Sequence, residues 1–268
     1  MNMPYINVNN ITFFYEQLGQ GEPLILIGGL SSNHTIWEKI TEDLAQRFNL
    51  ILPDNRGVGK STQPNRHYTI DQMAEDIAQL MNAIGIDSAY MVGHSMGGCI
   101  LQKLCIDHPE KVKAAVIVGA AAKMPQTLIM QTNGTIKLTD AAVNIELIIE
   151  NILPWLFASS FLENKDNVQA EVARMLHEPD PQSYAGFVGQ VKALETFDVR
   201  QQLSNIKCPT LVIGGSEDLL VMLKHQQFIH GKIPQAQFAI MEDCGHMFQR
   251  EKPKEFMELI VNFIDSLS

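Results

Sequence analysis

The stretch Tyr90-Met91-Val92-Gly93-His94-Ser95-Met96-Gly97-Gly98-Cys99-Ile100 decides how the rest of the chain is read. An apolar run ends at Gly93, and beyond Ser95 the residues Ile100, Leu101, Leu104 and Cys105 recur at helical spacing. In a strand–turn–helix context, Gly-x-Ser-x-Gly reads as a nucleophile elbow. Such a turn brings strand and helix so close that a Cβ at position 93 or 97 would clash. It also holds the serine in a strained backbone conformation with its hydroxyl exposed, a cost that usually marks function. The pentapeptide alone is weak, since roughly one unrelated chain of this length in ten would contain it by chance. Context has to carry the reading.

Length and composition narrow that context. The 268 residues, 46% of them hydrophobic, fit one large α/β domain or one domain with an insertion, and suffice for a substantial core. A net charge of −10 argues against a nucleic-acid or anionic-membrane surface. The opening Met1-Asn2-Met3-Pro4 has no basic region followed by an apolar stretch, and no run of about 18 apolar residues could span a bilayer. A cytoplasmic location is therefore expected. Cys99, Cys105, Cys208 and Cys244 have no metal-ligand spacing and read as reduced, structural thiols. Cys244 is also weighed as a reactive thiol. No metal and no cofactor are expected; the partner is a small-molecule substrate, not nucleic acid or membrane, and the chain is a monomer or a homodimer.

Outward from the elbow, strands are expected over 5–8, 11–16, 24–27, 50–52, 89–92 and 112–118, with helices over 35–47 and from Thr69 to about Ile84. Thr69 and Gln72 form a capping-box pattern. Alternating strands and helices imply crossovers and a mostly parallel β-sheet flanked by helices. The rhythm breaks after Ala122: helical patterns over 140–153, 155–162, 165–177 and 182–197 follow, with no strand among them. Alternation returns with strands 210–213 and 237–241 and helices 222–231 and 253–267. Residues 1–122 and 204–268 thus read as an α/β core, and 123–203 as a helical insertion over the carboxyl ends of the strands, where open α/β sheets bind ligands.

Serine is a poor nucleophile without a base to take its proton, and the base needs a third group to fix its tautomer. Ile213-Gly214-Gly215-Ser216-Glu217-Asp218 places an acid past one strand, and Asp243-Cys244-Gly245-His246 places a histidine past the next. Ser95, Asp218 and His246 are the candidate nucleophile, acid and base, with Glu217 the alternative acid. The backbone N–H groups of Met96, opening a helix, and Leu30, after a strand, are candidate oxyanion donors. His34 and His94 are weighed as pocket residues. Gly59-Lys60-Ser61 mimics the tail of a phosphate-binding loop, but its first glycine would fall on Asp54, so the nucleotide reading fails. Arg56 in that loop is expected to pair with a buried carboxylate or backbone group.

Several blocks together resemble the α/β-hydrolase superfamily over nearly the whole chain: Gly28-Gly29-Leu30, Asp54-x-Arg56-Gly57-x-Gly59-x-Ser61, Gly93-His94-Ser95-Met96-Gly97-Gly98, Pro209-Thr210-Leu211-Val212-Ile213-x-Gly215-x-x-Asp218, and Gly245-His246 followed by Glu251-x-Pro253. The order serine, acid, histidine is that of the family. The chain is most similar to its small esterases, enol-lactonases of the 3-oxoadipate type and cofactor-free haloperoxidases. The resemblance implies Ser95, Asp218 and His246 as a triad, Leu30 and Met96 as oxyanion donors, and a cap over 123–203. One departure is Gly28-Gly29 where the family commonly has His-Gly, which changes how the oxyanion loop is braced.

The expected activity is hydrolysis of a carboxylic ester or lactone of a small, largely apolar substrate through an acyl-enzyme. Carbon–carbon bond hydrolysis, acyl transfer or perhydrolysis by the same triad are alternatives, as is a non-catalytic ligand receptor. Trp155, Phe157 and Phe161, with Met124, Met130, Leu153 and Phe187, suggest an apolar pocket, with cap packing the commoner role for such a helix stripe. In the insertion acids outnumber bases, which disfavours a polyanionic substrate unless a base points inward.

Overall fold

The computed structural model describes residues 4–267. Eight strands, β1 (Tyr5–Val8), β2 (Ile11–Leu18), β3 (Glu22–Ile27), β4 (Phe48–Pro53), β5 (Ala89–His94), β6 (Val112–Val118), β7 (Thr210–Gly215) and β8 (Gln237–Met241), form one sheet in the order β1-β2-β4-β3-β5-β6-β7-β8. The β1–β2 and β2–β4 pairs are antiparallel; the five pairs from β4 to β8 are parallel.

Alternation along the central strands builds two cores. Ile25, Ile27, Met91, Ala115, Ile117 and Val212 face a cluster that includes α2 (Ile70–Ala83) and α3 (Met96–Asp107). Their neighbours Leu24, Leu26, Val92, Val116, Leu211 and Ile213 face the opposite cluster with α1 (Glu38–Ala45) and a C-terminal helix over Pro253–Asp265. Because helices cover both faces, these strands read as continuous apolar runs rather than alternating ones. The capping box forms as expected: Gln72 N–H donates to Thr69 Oγ1, and Thr69 N–H donates to Gln72 Oε1, both at 3.2 Å.

Between β6 and β7 the chain runs through α4 (Gln126–Asp140), α5 (Ile145–Leu156), α6 (Ser159–Leu162), α7 (Lys165–Leu176) and α8 (Tyr184–Glu195). It leaves and re-enters at one place, where Lys123 and Asp198 form an antiparallel bridge and Val199 N–H donates to Ala122 O at 2.8 Å. The sequence pattern missed α4 and began the first of these helices at 140. Thr132, Asn133, Gly134, Thr135 and Thr139 are weak helix formers and give α4 no apolar stripe. After β7 come α9 (Lys224–His230), α10 (Phe248–Glu251) and α11 (Pro253–Asp265). Among the described residues no helix is long and apolar enough to cross a membrane.

Candidate active site

Ser95 follows β5 directly and has φ +55° and ψ −117°, a setting that costs a non-glycine residue on the order of 1–3 kcal/mol. The surroundings enforce it. A Cβ at Gly93 would lie 2.4 Å from Gly97 O, and one at Gly97 would lie 2.1 Å from Ile27 O. Ser95 N–H donates to Val118 O of the neighbouring strand at 2.8 Å. The turn is therefore pinned on three sides, and the Ser95 side chain is left half-buried at the floor of a cavity.

Asp218 and His246 come together past the ends of β7 and β8. His246 Nδ1 donates to Asp218 Oδ2 at 2.8 Å, and both side chains are nearly sealed from solvent. Asp218 Oδ1 accepts from Leu220 N–H at 2.9 Å and Val221 N–H at 2.8 Å, so each carboxylate oxygen has a fixed task. Glu217 points elsewhere: its Oε2 accepts the Ser159 N–H at 2.8 Å, at the start of α6. Ser95 and His246 line the same cavity. Among the described residues no hydrogen bond joins their side chains; catalytic contacts of this kind tighten around substrate.

The loop that carries His246 is itself held. Leu156 O accepts from His246 N–H at 2.8 Å and from Met247 N–H at 3.2 Å. Glu251 accepts from the N–H groups of Ala158, Gly245 and Met247. Burial raises the Glu251 carboxyl above its ordinary range, although those donors pull the other way. Arg250 beside it reaches the buried Glu171 of α7 through Nε at 2.9 Å and Nη2 at 2.6 Å. Burial alone would raise the Glu171 carboxyl; Arg174 and Arg250 outweigh it and hold the group below the usual range. The end of α5 and the middle of α7 are thus fastened to the segment after β8.

Leu30 lines the cavity, three residues past β3, while Met96 opens α3. Neither backbone N–H has an acceptor among the described residues. Gly29 lets this loop approach Ser95: a Cβ there would stand 3.1 Å from the serine Cβ. With Gly28-Gly29 in place of His-Gly, the bracing comes from elsewhere. Asn55 Nδ2 donates to Gly28 O at 2.9 Å, and Gln190 Oε1 accepts the Ser31 N–H at 3.0 Å. Asn55 is steadied in turn by its neighbour Arg56, which pairs with the buried Asp76 through two hydrogen bonds of 2.8 and 2.7 Å.

The cavity holds about 480 Å³, within the range of small-molecule sites. Leu128, Thr132, Thr135 and Thr139 of α4 line one wall, and Ile145, Ile148, Ile149, Ile152 and Leu156 of α5 line another. Both sets recur at three- and four-residue steps and so form stripes. Phe187 joins them from α8. Among the described residues Arg174 is the one lysine or arginine on the lining, and its Nε is bound to Glu171 Oε2 at 2.8 Å.

Four sequence-predicted pocket residues are corrected. His34 lies outside this cavity, because Asp54 Oδ1 accepts both its backbone N–H at 2.7 Å and its Nδ1 at 2.8 Å and turns the ring against Phe14. Burial opposes charge on His34, but the Asp54 carboxylate wins and leaves the imidazole above its ordinary range. Trp155 stands off the α5 stripe and is 37% exposed. Phe157 and Phe161 stack on each other at 4.4 Å within the core cluster and do not reach the lining. His94 does border the cavity, with its ring against Trp37, Phe248 and His246 and Nε2 donating to His246 O at 2.8 Å. Burial, helped by nearby His246, pushes His94 down to about 3, so it is neutral and acts as a fixed donor. Burial also pushes the Cys244 thiol up, which removes it as a reactive group.

Comparison with known proteins agrees with this architecture. A family model described as the alpha/beta hydrolase fold matches residues 22–253. A protein of Azorhizobium caulinodans that carries the name carbamate hydrolase RutD is 28% identical over 267 residues, 97% of this chain and 98% of its own length. The enol-lactonase of Burkholderia xenovorans LB400 superposes with a TM-score of 0.87 at 24% identity, covering 98% of this chain and 100% of the other, a likeness of fold. Est816, described as an N-acyl homoserine lactone degrading enzyme, superposes with a TM-score of 0.83 at 26% identity, over 97% of this chain and 100% of its own.

Proposed function

Because the chain belongs to the alpha/beta-hydrolase family, we propose that it is a serine hydrolase of carboxylic esters or lactones, working through an acyl-enzyme. The observation that carries this reading is Ser95 on a strained turn, facing a cavity it shares with a histidine whose Nδ1 is held 2.8 Å from Asp218. Asp218 fixes the tautomer that leaves His246 Nε2 free to take the Ser95 proton. The serine oxygen then adds to the acyl carbon, and the N–H groups of Leu30 and Met96 receive the developing oxyanion. His246 returns the proton to the leaving oxygen, and a water repeats the cycle to release the acid.

The lining supports an apolar acyl group. The α4 stripe from Leu128 to Thr139 spans eleven helical steps, about 16 Å of helix, opposite the isoleucines of α5. Nothing on it matches a polyanion, since Arg174 is already shared with Glu171. The lactone half of the reading gains support from the description of Est816. Other relatives carry the name carbamate hydrolase, but a small polar carbamate would leave this apolar wall unused. Residues 123–203 act in this reading as a cap, and the substrate enters beneath them.

Ser95→Ala tests the reading. Turnover of p-nitrophenyl esters or lactones should fall roughly 10⁶-fold, and adding His246→Ala should cost little more, because triad members act as a unit. A serine-reactive organophosphonate should add one mass increment to the wild type and none to the variant. Equal esterase activity in both proteins would remove Ser95 as nucleophile. Tight binding of a small molecule with no turnover and no labelling would favour the receptor alternative.

A further inference from the structure

The turn that carries Leu30 is held by the helical segment above it. Ser32 N–H donates to Gly29 O at 3.2 Å and closes a four-residue turn whose third residue, Ser31, has φ +60°. A positive φ at that place belongs to the type II turn, which glycine ordinarily fills; type I differs mainly by near-reversal of the central peptide. Here the central peptide joins Leu30 to Ser31, and its N–H donates to Gln190 Oε1 at 3.0 Å. Gln190 is fully buried, and its Nε2 donates to Arg56 O at 2.9 Å. Its Oε1 also accepts from Gln182 Nε2 at 2.9 Å. Gln182 Nε2 reaches Gly57 O at 2.7 Å, and Gln182 Oε1 accepts the Ser31 hydroxyl at 2.5 Å. A buried amide with both ends committed has one orientation, so it presents a fixed acceptor to the turn.

We propose that Gln190 is a positioning residue for the oxyanion site: from α8 it holds the Leu30–Ser31 peptide in its type II orientation and so keeps the Leu30 N–H aimed at the oxygen that develops above Ser95. The inference rests on the reading of the chain as a serine hydrolase. Ser31 carries backbone strain that its own side chain does not relieve. Without the Gln190 acceptor, that strain relaxes by reversal of the peptide, and Leu30 loses its fixed setting. Asn55 still holds Gly28 O, so the loop stays in place while the donor's aim is lost. Seating of the helical segment on the core and completion of the oxyanion site are then one event.

Gln190→Met keeps the side-chain length and removes all three of its side-chain hydrogen bonds. On a p-nitrophenyl ester, kcat should fall roughly 10- to 100-fold with KM within about twofold, the size expected for a misaimed donor. A trifluoromethyl ketone, which forms a tetrahedral adduct on Ser95, should weaken by the same factor, while the parent methyl ketone binds as before. Tyr68→Phe is the control: it deletes the Tyr68 hydroxyl's 3.1 Å bond to Gly186 O, loosening α8 without touching the turn, and should leave kcat within about twofold. Should Gln190→Met fail to fold, half-buried Gln182→Ala should show a several-fold loss in kcat at constant KM. Unchanged kcat in the folded Gln190 variant, a rise in KM instead, or an equal loss in Tyr68→Phe overturns the proposal. A wild-type protein that turns over no ester and takes no label at Ser95 would instead overturn the underlying hydrolase reading.

Discussion

Replacing Asp218 by asparagine changes one atom and, by the geometry around it, reverses the chemistry of His246. The Oδ1 position receives the N–H groups of Leu220 and Val221 at 2.9 and 2.8 Å. An amide can keep those bonds only with its oxygen there, since the NH₂ group would face two donors. The NH₂ group must then face His246 Nδ1, where the carboxylate oxygen stood at 2.8 Å. A donor at that point forces the imidazole to accept through Nδ1 and to carry its proton on Nε2. The ring can no longer take the Ser95 proton. The comparable change in a serine protease costs about 10⁴-fold in kcat, which at about 1.4 kcal/mol per decade is roughly 5.5 kcal/mol of barrier. The fold should survive, because shape and both backbone bonds are retained. Glu217→Gln should change kcat less than about tenfold, since it alters only the acceptor for Ser159 N–H. Steady-state kinetics on a chromogenic ester, alongside thermal melts of the three proteins, read both effects. An Asp218→Asn protein within about tenfold of wild-type kcat, or a larger loss in Glu217→Gln, would refute the tautomer argument.

Two further predictions concern the helical segment. Glu171 has a carboxyl held below its ordinary range in the folded state, so its contribution to stability is complete above the unfolded value and is lost as pH falls through the folded one. Stability of the wild type should therefore drop more steeply than that of Glu171→Gln as pH is lowered from about 5 toward 3; parallel denaturation curves would assign the acid sensitivity to other carboxylates. Phe157→Ala should cost about 3–5 kcal/mol in unfolding experiments and leave acyl chain-length preference unchanged, because the ring is buried away from the cavity. Ile149→Ala should move that preference toward longer or bulkier acyl groups, by about 1–3 kcal/mol per methylene accommodated, and the opposite pairing of outcomes in an ester panel would reverse the two assignments.

The helical segment also shows why the sequence reading of the pocket went astray. Size and aromaticity singled out Trp155, Phe157 and Phe161, yet these residues sit at the end of α5 or past it. The chain there turns down onto the loop bearing His246; the rings of Phe157 and Phe161 pack into the core, and Trp155 faces outward. The lining instead uses four isoleucines and a leucine at helical spacing, a pattern present in the sequence at 145, 148, 149, 152 and 156 but indistinguishable there from ordinary core packing. The wall from α4 gave no warning, because a helix that offers threonines to a cavity shows no apolar period. His34 was misplaced for a related reason: its partner, Asp54, lies twenty residues away on another loop.

What the sequence determined by itself was local or periodic. Apolar runs buried on both faces marked the parallel strands, the glycines of 93–98 marked the elbow, and Thr69 with Gln72 marked a helix start. Each depends on a few consecutive residues meeting steric or hydrogen-bonding limits that hold in any fold. The order of strand-end residues also placed Ser95, Asp218 and His246 at one edge of the sheet, since parallel strands bring their carboxyl ends together. Strand-end spacing favoured Asp218 over Glu217, but only the tertiary structure shows where each points, because adjacent residues in a loop differ by direction, and direction is fixed by the N–H groups of Leu220 and Val221 and by Ser159. It alone set which face of α5 meets the cavity and brought Gln190 across 159 positions to Ser31. Contacts of that range are chosen by the packing of whole helices against the sheet, and no short stretch of chain encodes that choice.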